Sequence, residues 1–543
     1  MSHEPTLAGH APARQASVPV DLTIILLATA GIALRIWHLV GGRSLWLDEG
    51  RIATNFLDRS FAGLLLPLDN FQSAAIGWLW LEKATYALTG DPVTGLRLWP
   101  LLFGIAGLIL FLGLARRELA GAPLLFLSVA VSLLPTYLYF SAEIKPYISD
   151  FCFTAALLWL GFELLDEPAP KRHQLILLAG LGIVALLLSQ PVALILGGVG
   201  GVLIIQAGLR RRWREAGLLI AISALWAALF LLLYLTVYST APELMSFMRA
   251  YWGDSFAPVP PRSPDDLLWY YRALIELPTA AFYHGRFMTG TWGTANVLCA
   301  ILLLLGCWRL AVRQPLKLTM LLLPLLFALV ASAVAMWPFD GRLLLFTAPI
   351  VLLLAGFGLT QLIEGSPIRP ALAIAVPAFV LVLPLAVTVH EFSRPHRPPF
   401  NAPDLISAMR TLAQGYQPGD AIYIMNNMDP SFRVHGLSLG LGNVPFTVGR
   451  AIEGMAYLLA DTERLRDAPR VWVLFATHFL SEGRRTELEL ARYGFGRFGR
   501  EVERRNFEGA TLLLYQNDPA SQPPPGLFPE PARPAPAGPA TAP

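Results

Sequence analysis

The stretch VDLTIILLATAGIALRIWHLV, residues 20–40, runs directly into GGRSLWLDEG, residues 41–50. The first segment is about 20 residues long, enough for a helix to cross roughly 30 Å of hydrocarbon. It is longer than a signal-peptide core and lacks a small-residue cleavage site, so it reads as an uncleaved first membrane span. Directly behind it stand two adjacent carboxylates, Asp48 and Glu49, beside Trp46.

Apolar runs of the same kind recur at about 95–115, 121–140, 148–165, 174–189, 191–208, 216–237, 293–310, 318–337, 343–362 and 370–390, giving about eleven transmembrane helices by length. Composition agrees. Apolar residues make up 55% of the 543 and charged residues 15%, against roughly 25% charged in soluble domains. Mean hydropathy is +0.53. The net charge of +3 is too small to suggest a nucleic-acid partner. The three cysteines, Cys152, Cys299 and Cys307, sit in apolar runs without paired spacing, which suits packing better than a disulfide or zinc.

Basic residues orient the spans. Arg116-Arg117, Lys171-Arg172, Arg210-Arg211-Arg212 with Arg214, and Arg309, Arg313 and Lys317 occupy alternate loops. The positive-inside rule assigns those loops, with the N-terminus, to the cytoplasm. The other side then receives a long first loop (41–94), the short segment Ser141–Tyr147, a loop over 238–290, and everything beyond 391.

After residue 391 charged residues become frequent and short apolar runs alternate with turn signals. Leu405–Leu412 suits a helix, Gln417-Pro418-Gly419-Asp420 a turn, Ala421–Met425, Val471–Phe475 and Ala510–Tyr515 strands, and Glu482–Tyr493 a charged helix. The expected organisation is a cytoplasmic tail (1–19), a transmembrane domain (20–390), a small extracytoplasmic α/β domain (391–517) and a disordered Pro/Ala-rich tail (518–543).

Three polar clusters fall on the extracytoplasmic side. In the first, Asp48 and Glu49 suit a solvated helix start with Trp46 as interface anchor; alternatively, Asp48 is a general base able to accept an acceptor's proton. The same loop continues with amphipathic stretches Ile52–Leu66 and Ile76–Leu88, separated by the polar Leu68-Asp69-Asn70-Phe71-Gln72-Ser73. In the second cluster Glu143, Lys145, Tyr147 and Asp150 crowd the mouth of two spans, with Pro146 starting or breaking a helix. Lys145 suits snorkelling, but carboxylates and a lysine amid so much apolar sequence are costly to place, which favours a function. The third is Trp337-Pro338-Phe339-Asp340-Gly341-Arg342, where Arg342 either pairs with Asp340 or offers its planar fork to phosphate oxygens. The segment Ser239–Asp265, with Trp252, Asp254 and a Pro-rich turn, is placed either to cover a site or to contact substrate. Gly197-Gly198-Val199-Gly200-Gly201 lies inside a span and favours close helix packing over nucleotide binding. His390, His396, His435 and His478 show no metal-ligand spacing and read as surface or packing residues.

Ser44-Leu45-Trp46-Leu47-Asp48-Glu49 after the first span resembles the signature of the GT-C glycosyltransferases, especially glycosyltransferase family 39. That group includes the protein O-mannosyltransferases and the aminoarabinose transferases of lipid A. Tyr139–Tyr147 resembles the second-loop motif of the bacterial members. Arg97-Leu98-Trp99-Pro100 and Trp337–Arg342 sit where such members carry similar segments, and the soluble tail, with Gly419–Ile424, resembles the α/β domain of many bacterial members. One departure is the stretch Phe71-Gln72-Ser73-Ala74-Ala75, where many members carry a His-Pro-Pro or Lys-Pro element.

The resemblance implies a GT-C-type bacterial inner-membrane enzyme taking a polyprenyl-phosphate sugar as donor and a glycan, lipid or protein as acceptor. Lys145 and Arg342 would hold the phosphate, Asp48 would be the base of an inverting displacement, and Glu49 and Glu143 would orient substrate or basic partners. Tyr147, Gln72 and Arg97 complete the expected substrate contacts. No nucleotide site and no cofactor are implied; a divalent cation is compatible with such chemistry, but no ligand spacing indicates one. Two other classes fit the composition: a lipid-linked sugar transporter or flippase, and a non-catalytic envelope assembly protein. Transporters favour midplane sites and internal repeats, whereas these charges gather at one face.

Overall fold

The computed structural model describes residues 18–282, 293–364, 366–393, 403–476 and 482–531. The expected N-terminal tail, apart from its last two residues, and His396 and His478 lie outside them. The first span is α1 (Val18–Val40), and the first loop holds α2 (Leu47–Asp58) and α3 (Ile76–Thr89). Helix α2 begins ahead of the amphipathic stretch expected from Ile52, because the Glu49 carboxylate accepts the Trp46 backbone N–H (3.3 Å) and caps its first turn. Helix α4 (Leu98–Glu118) follows. The run expected at 121–140 divides into α5 (Gly121–Leu133) and α6 (Pro135–Phe140), since Pro135 has no N–H to continue the ladder.

Helices α7 (Tyr147–Asp166), α8 (Arg172–Leu188), α9 (Val192–Leu209) and α10 (Trp213–Leu233) match four further runs. Ser189–Pro191 is a turn between separate helices rather than a kink in one. The long loop after α10 carries α11 (Pro242–Tyr251) and α12 (Pro264–Phe282). The bundle closes with α13 (Gly293–Arg313), α14 (Pro315–Ala333), α15 (Ala348–Ile363) and α16 (Arg369–Phe392). Among the described residues nine helical segments are long and apolar enough to cross a bilayer, and the apolar helices α5 and α8 are shorter. An eleven-span count therefore rests on α5 and on α8, which has 17 residues.

Burial ranks the spans. The segments Tyr147–Asp166 and Gly341–Ile363 are 83% and 89% buried over their apolar windows, against 22% for the first span and 17% for Trp213–Tyr238. The first two are therefore the centre of the bundle. Close helix packing supports this arrangement: a side chain at Gly198 of α9 would meet the Pro324 ring of α14 at 2.6 Å.

The two ends of the bundle differ in chemistry. At one end Lys317 pairs with Glu118 (2.9 Å) and Asp166 (3.0 Å), and Arg309 with Glu364 (2.5 Å). These are the basic loops that the charge bias places together. At the other end both central spans start, at Tyr147 and Gly341.

The C-terminal region has a core of its own. It runs α17 (Leu405–Gly415), β1 (Ala421–Ile424), α18 (Asp429–Ser438), β2 (Thr447–Val448), α19 (Met455–Arg464), β3 (Arg470–Ala476), α20 (Glu482–Gly496), β4 (Gly499–Phe507) and β5 (Ala510–Asn517). The sheet order is β2-β1-β3-β5-β4, parallel across β2, β1 and β3 and antiparallel across β3, β5 and β4. Ala421 pairs with Val471, and Val471 with Tyr515. The apolar runs predicted as strands are the three inner ones. The edge strand β4 is rich in Arg and Glu, a charged edge that resists further strand pairing. Of the tail expected to be disordered, residues 518–531 run back along the domain, where Glu530 pairs with Arg450 (2.7 Å) and with Arg464.

Candidate active site

Successive helix residues point about 100° apart, and the first turn of α2 uses this to separate the acidic pair. Glu49 turns inward and is fully buried. Arg43 grips it with two bonds (2.9 and 3.1 Å), and Arg97 donates to it from Nη2 (3.1 Å) and Nε (3.3 Å). The Ile144 backbone N–H adds a further bond at 3.1 Å. Arg97 also donates to the Arg43 carbonyl (2.8 Å), and Arg43 to the Ala142 carbonyl (2.9 Å). This triad ties the first loop, the start of α4 and the second loop together behind the cavity. Glu49, expected to orient substrate or basic partners, holds two basic partners, and neither it nor Arg97, expected as a substrate contact, lines the cavity. Their carboxylate and guanidinium valences are taken up by one another.

Asp48 faces the other way. Its Oδ2 accepts a close bond from Nη2 of Arg342, whose Nε donates to the Tyr147 hydroxyl at 3.1 Å. The guanidinium lies 5.2 Å from the Trp46 ring centroid and 5.8 Å from that of Tyr147, a cation held against two aromatic faces. Asp340, the alternative partner, instead accepts from the Ser255 hydroxyl at 2.9 Å. Lys145 is 6% exposed and donates to Gln72 Oε1 at 2.5 Å. Glu143 is fully buried outside the cavity lining and accepts the Trp46 indole N–H at 3.0 Å, so it fixes the ring on which Arg342 rests.

The electrostatics follow from burial and charge. Burial works against the Asp48 carboxylate, but Lys145, Arg342 and Arg51 outweigh it and hold its pKa below the ordinary value. Burial lowers the Lys145 pKa, with Asp48 opposing. Burial pushes Glu143 up to about 7 against the pull of Arg342. Asp48 is thus a carboxylate at neutral pH, set between two cations.

These groups line a cavity of about 1200 Å³. Asp48, Gln72, Lys145, Tyr147 and Arg342 form one wall, and Leu194, Phe230, Tyr234 and Met336 give it an apolar side among the spans. Leu244, Phe247, Tyr251 and Trp252 of the long loop also line it, so that segment does cover the site, with Phe247 stacked on Phe71 at 4.5 Å. The last wall is the C-terminal domain, through Met425, Asn427 and Ser431.

That wall was not foreseen. The domain grips the acid-bearing segment directly. His435 Nε2 accepts the Leu45 N–H (2.9 Å), Ser44 Oγ accepts the Ile406 N–H (2.9 Å), and Arg51 donates to Asn427 Oδ1 (2.9 Å). A side chain at Gly50 would meet the Ser431 hydroxyl at 2.4 Å, so only glycine lets α2 and α18 touch there. Burial, with the Arg97 charge, lowers His435 to about 3, consistent with a neutral ring that accepts a hydrogen bond from the Leu45 N–H. Among the described residues no three His, Cys, Asp or Glu side chains gather as metal ligands.

No family model matches the sequence, and no curated protein matches it significantly. Solved structures do match. ArnT from Cupriavidus metallidurans bound to undecaprenyl phosphate superposes with a TM-score of 0.52 at 14% identity, covering 94% of this chain and 100% of that one. The same protein in its apo state gives 0.50 at 15% identity with the same coverage. At such identities the likeness is one of fold, and it extends over the bundle and the C-terminal domain alike. This chain is therefore a multi-pass membrane protein with a GT-C-like fold.

Proposed function

We propose that the protein is a membrane glycosyltransferase that moves a sugar from a polyprenyl-phosphate donor to an acceptor hydroxyl, with inversion, on the extracytoplasmic face. The observation that carries this reading is the convergence of Asp48, Lys145 and Arg342, from three distant segments, on one cavity that is also lined by apolar residues of the spans. A lipid phosphate suits that combination, with its chain among α9, α10 and α14 and its head at the cations. The match to a structure of ArnT bound to undecaprenyl phosphate supports the donor class. The basic loops at the far end of the bundle support the orientation.

The chemistry is a single displacement. The acceptor oxygen forms a bond to the anomeric carbon as its proton passes to Asp48. The bond from that carbon to the phosphate oxygen breaks, and its electron pair leaves with the polyprenyl phosphate. Arg342 and Lys145 stabilise the charge growing there, which is where fixed cations in a water-poor site help most. Tyr147 and Trp46 hold the guanidinium in place, and Gln72 holds Lys145. The buried Glu49 triad behind it keeps Asp48 at one angle to both substrates.

Incubating purified protein with polyprenyl-phosphate pentoses and hexoses and a panel of acceptors tests this. Release of polyprenyl phosphate with matching sugar gain on an acceptor is expected. Absence of turnover across the panel, with movement of lipid-linked sugar across vesicles, would replace the reading by a transporter.

A further inference from the structure

A second polar group lines the same cavity and takes no part in the displacement. Asp150 lies in the first turn of α7, three residues after Tyr147, and is 5% exposed. It faces Ser189, and its Oδ1 completes no hydrogen bond among the described residues. No lysine or arginine pairs with it there either. Gln190 donates from Nε2 to Ser73 Oγ at 2.9 Å and its side chain also meets the Tyr238 hydroxyl, which leaves at least one lone pair of the Gln190 carbonyl as acceptor and the Ser73 hydroxyl proton as donor. Ser149 Oγ, next to Asp150, reaches the Leu188 carbonyl at 3.3 Å and so fixes the start of α7 against the end of α8.

A buried carboxylate oxygen without a partner costs free energy unless something else supplies the bond. The placement says what does. Ser73 follows Gln72, which holds Lys145, and Tyr147 touches Arg342. Residues three apart on a helix stand about 5–6 Å apart on one face, roughly the width of a sugar ring. A ring whose anomeric phosphate sits at Arg342 and Lys145 therefore brings its hydroxyls to Asp150. The set of two acceptors and one donor matches vicinal hydroxyls, each of which both donates and accepts.

We propose that Asp150, Gln190 and Ser73 form the subsite for the ring hydroxyls of the donor sugar, distinct from the phosphate ligands. This deepens the transferase reading and rests on it for the identity of the donor.

The test compares binding of sugar-free polyprenyl phosphate with binding of polyprenyl-phosphate pentoses and hexoses, using full-length protein in detergent. Wild type is expected to prefer one sugar-bearing lipid. Asp150→Asn and Gln190→Leu should each cut that preference about tenfold, the cost of a lost bond at a buried polar group, with affinity for the sugar-free lipid unchanged. An unchanged preference in both variants overturns the subsite, as does equal weakening toward both lipids, which marks Asp150 as structural. Because Asp150→Asn is nearly isosteric and Gln190→Leu is on another element, misfolding of one leaves the other informative. Transfer by wild type with unchanged preference in the variants sinks the subsite alone. Sugar-selective binding through Asp150 without any transfer sinks the transferase reading alone, and binding of neither lipid overturns both.

Discussion

Arg342 donates from Nη2 to Asp48 Oδ2, so the proposed phosphate ligand and the proposed base neutralise one another across the cavity wall. Neither is deeply buried on its own terms: the side chains are 27% and 16% exposed. On the proposed reading an arriving phosphate would compete for the guanidinium and leave the Asp48 carboxylate free beside the acceptor. Donor binding and availability of the base would then be linked through one ion pair.

The same arginine gives the first prediction. Arg342→Ala loses the fork and the cation, whereas Arg342→Lys keeps a charge but loses the bond to Tyr147. Donor binding should weaken about tenfold or more in the alanine variant, in line with ~1.5–3 kcal/mol for a hydrogen bond to a charged group. The lysine variant should fall between. Titration with polyprenyl-phosphate sugar checks the order; equal, undiminished binding in both variants removes Arg342 from the phosphate site.

Glu49 should behave as a structural residue. Glu49→Gln leaves Arg43 and Arg97 buried without a counter-charge, a loss of about 3–5 kcal/mol for a broken buried pair. The expected result is a sharply lower melting temperature in detergent and poor recovery of folded protein. A variant that melts with wild type yet turns over no donor would instead return Glu49 to the chemistry.

His435 gives the pH dependence. Burial first, then the Arg97 charge, lowers its pKa to about 3 in the folded chain, below the ordinary value of roughly 6.5 in an unfolded one. Its contribution is therefore complete above the unfolded value and declines as pH falls toward the folded one. The slope approaches about 1.4 kcal/mol per pH unit. His435→Gln, which keeps an acceptor for the Leu45 N–H but does not titrate, should flatten the melting curve between pH 6 and 4 (roughly the window set by these values). Parallel pH profiles for the two proteins would contradict this.

The spans were legible because apolar length is a local property that lipid imposes on every backbone group. The position of Asp48, Lys145, Tyr147 and Arg342 at one end followed from the same counting, since each abuts an apolar run. Glu49 and Arg97 were harder. Glu49 follows the cavity residue Asp48 and is turned away by helix phase, and nothing in the residue types distinguishes the two; Arg97 is drawn behind the cavity by its bonds to Glu49. The contacts of Asn427, Ser431 and His435 depend on how a separate α/β domain docks on α2, which no pattern within either segment encodes. Asp150 lay in a cluster already visible, but the unbonded state of its Oδ1 emerges only in three dimensions.

The measurement closest to the central claim is sugar transfer by wild type and Asp48→Asn side by side, with melting temperature and donor binding recorded for both. A folded variant that binds donor but transfers about 10²–10⁴ times more slowly is expected for loss of a general base. Transfer at the wild-type rate by Asp48→Asn would contradict the account.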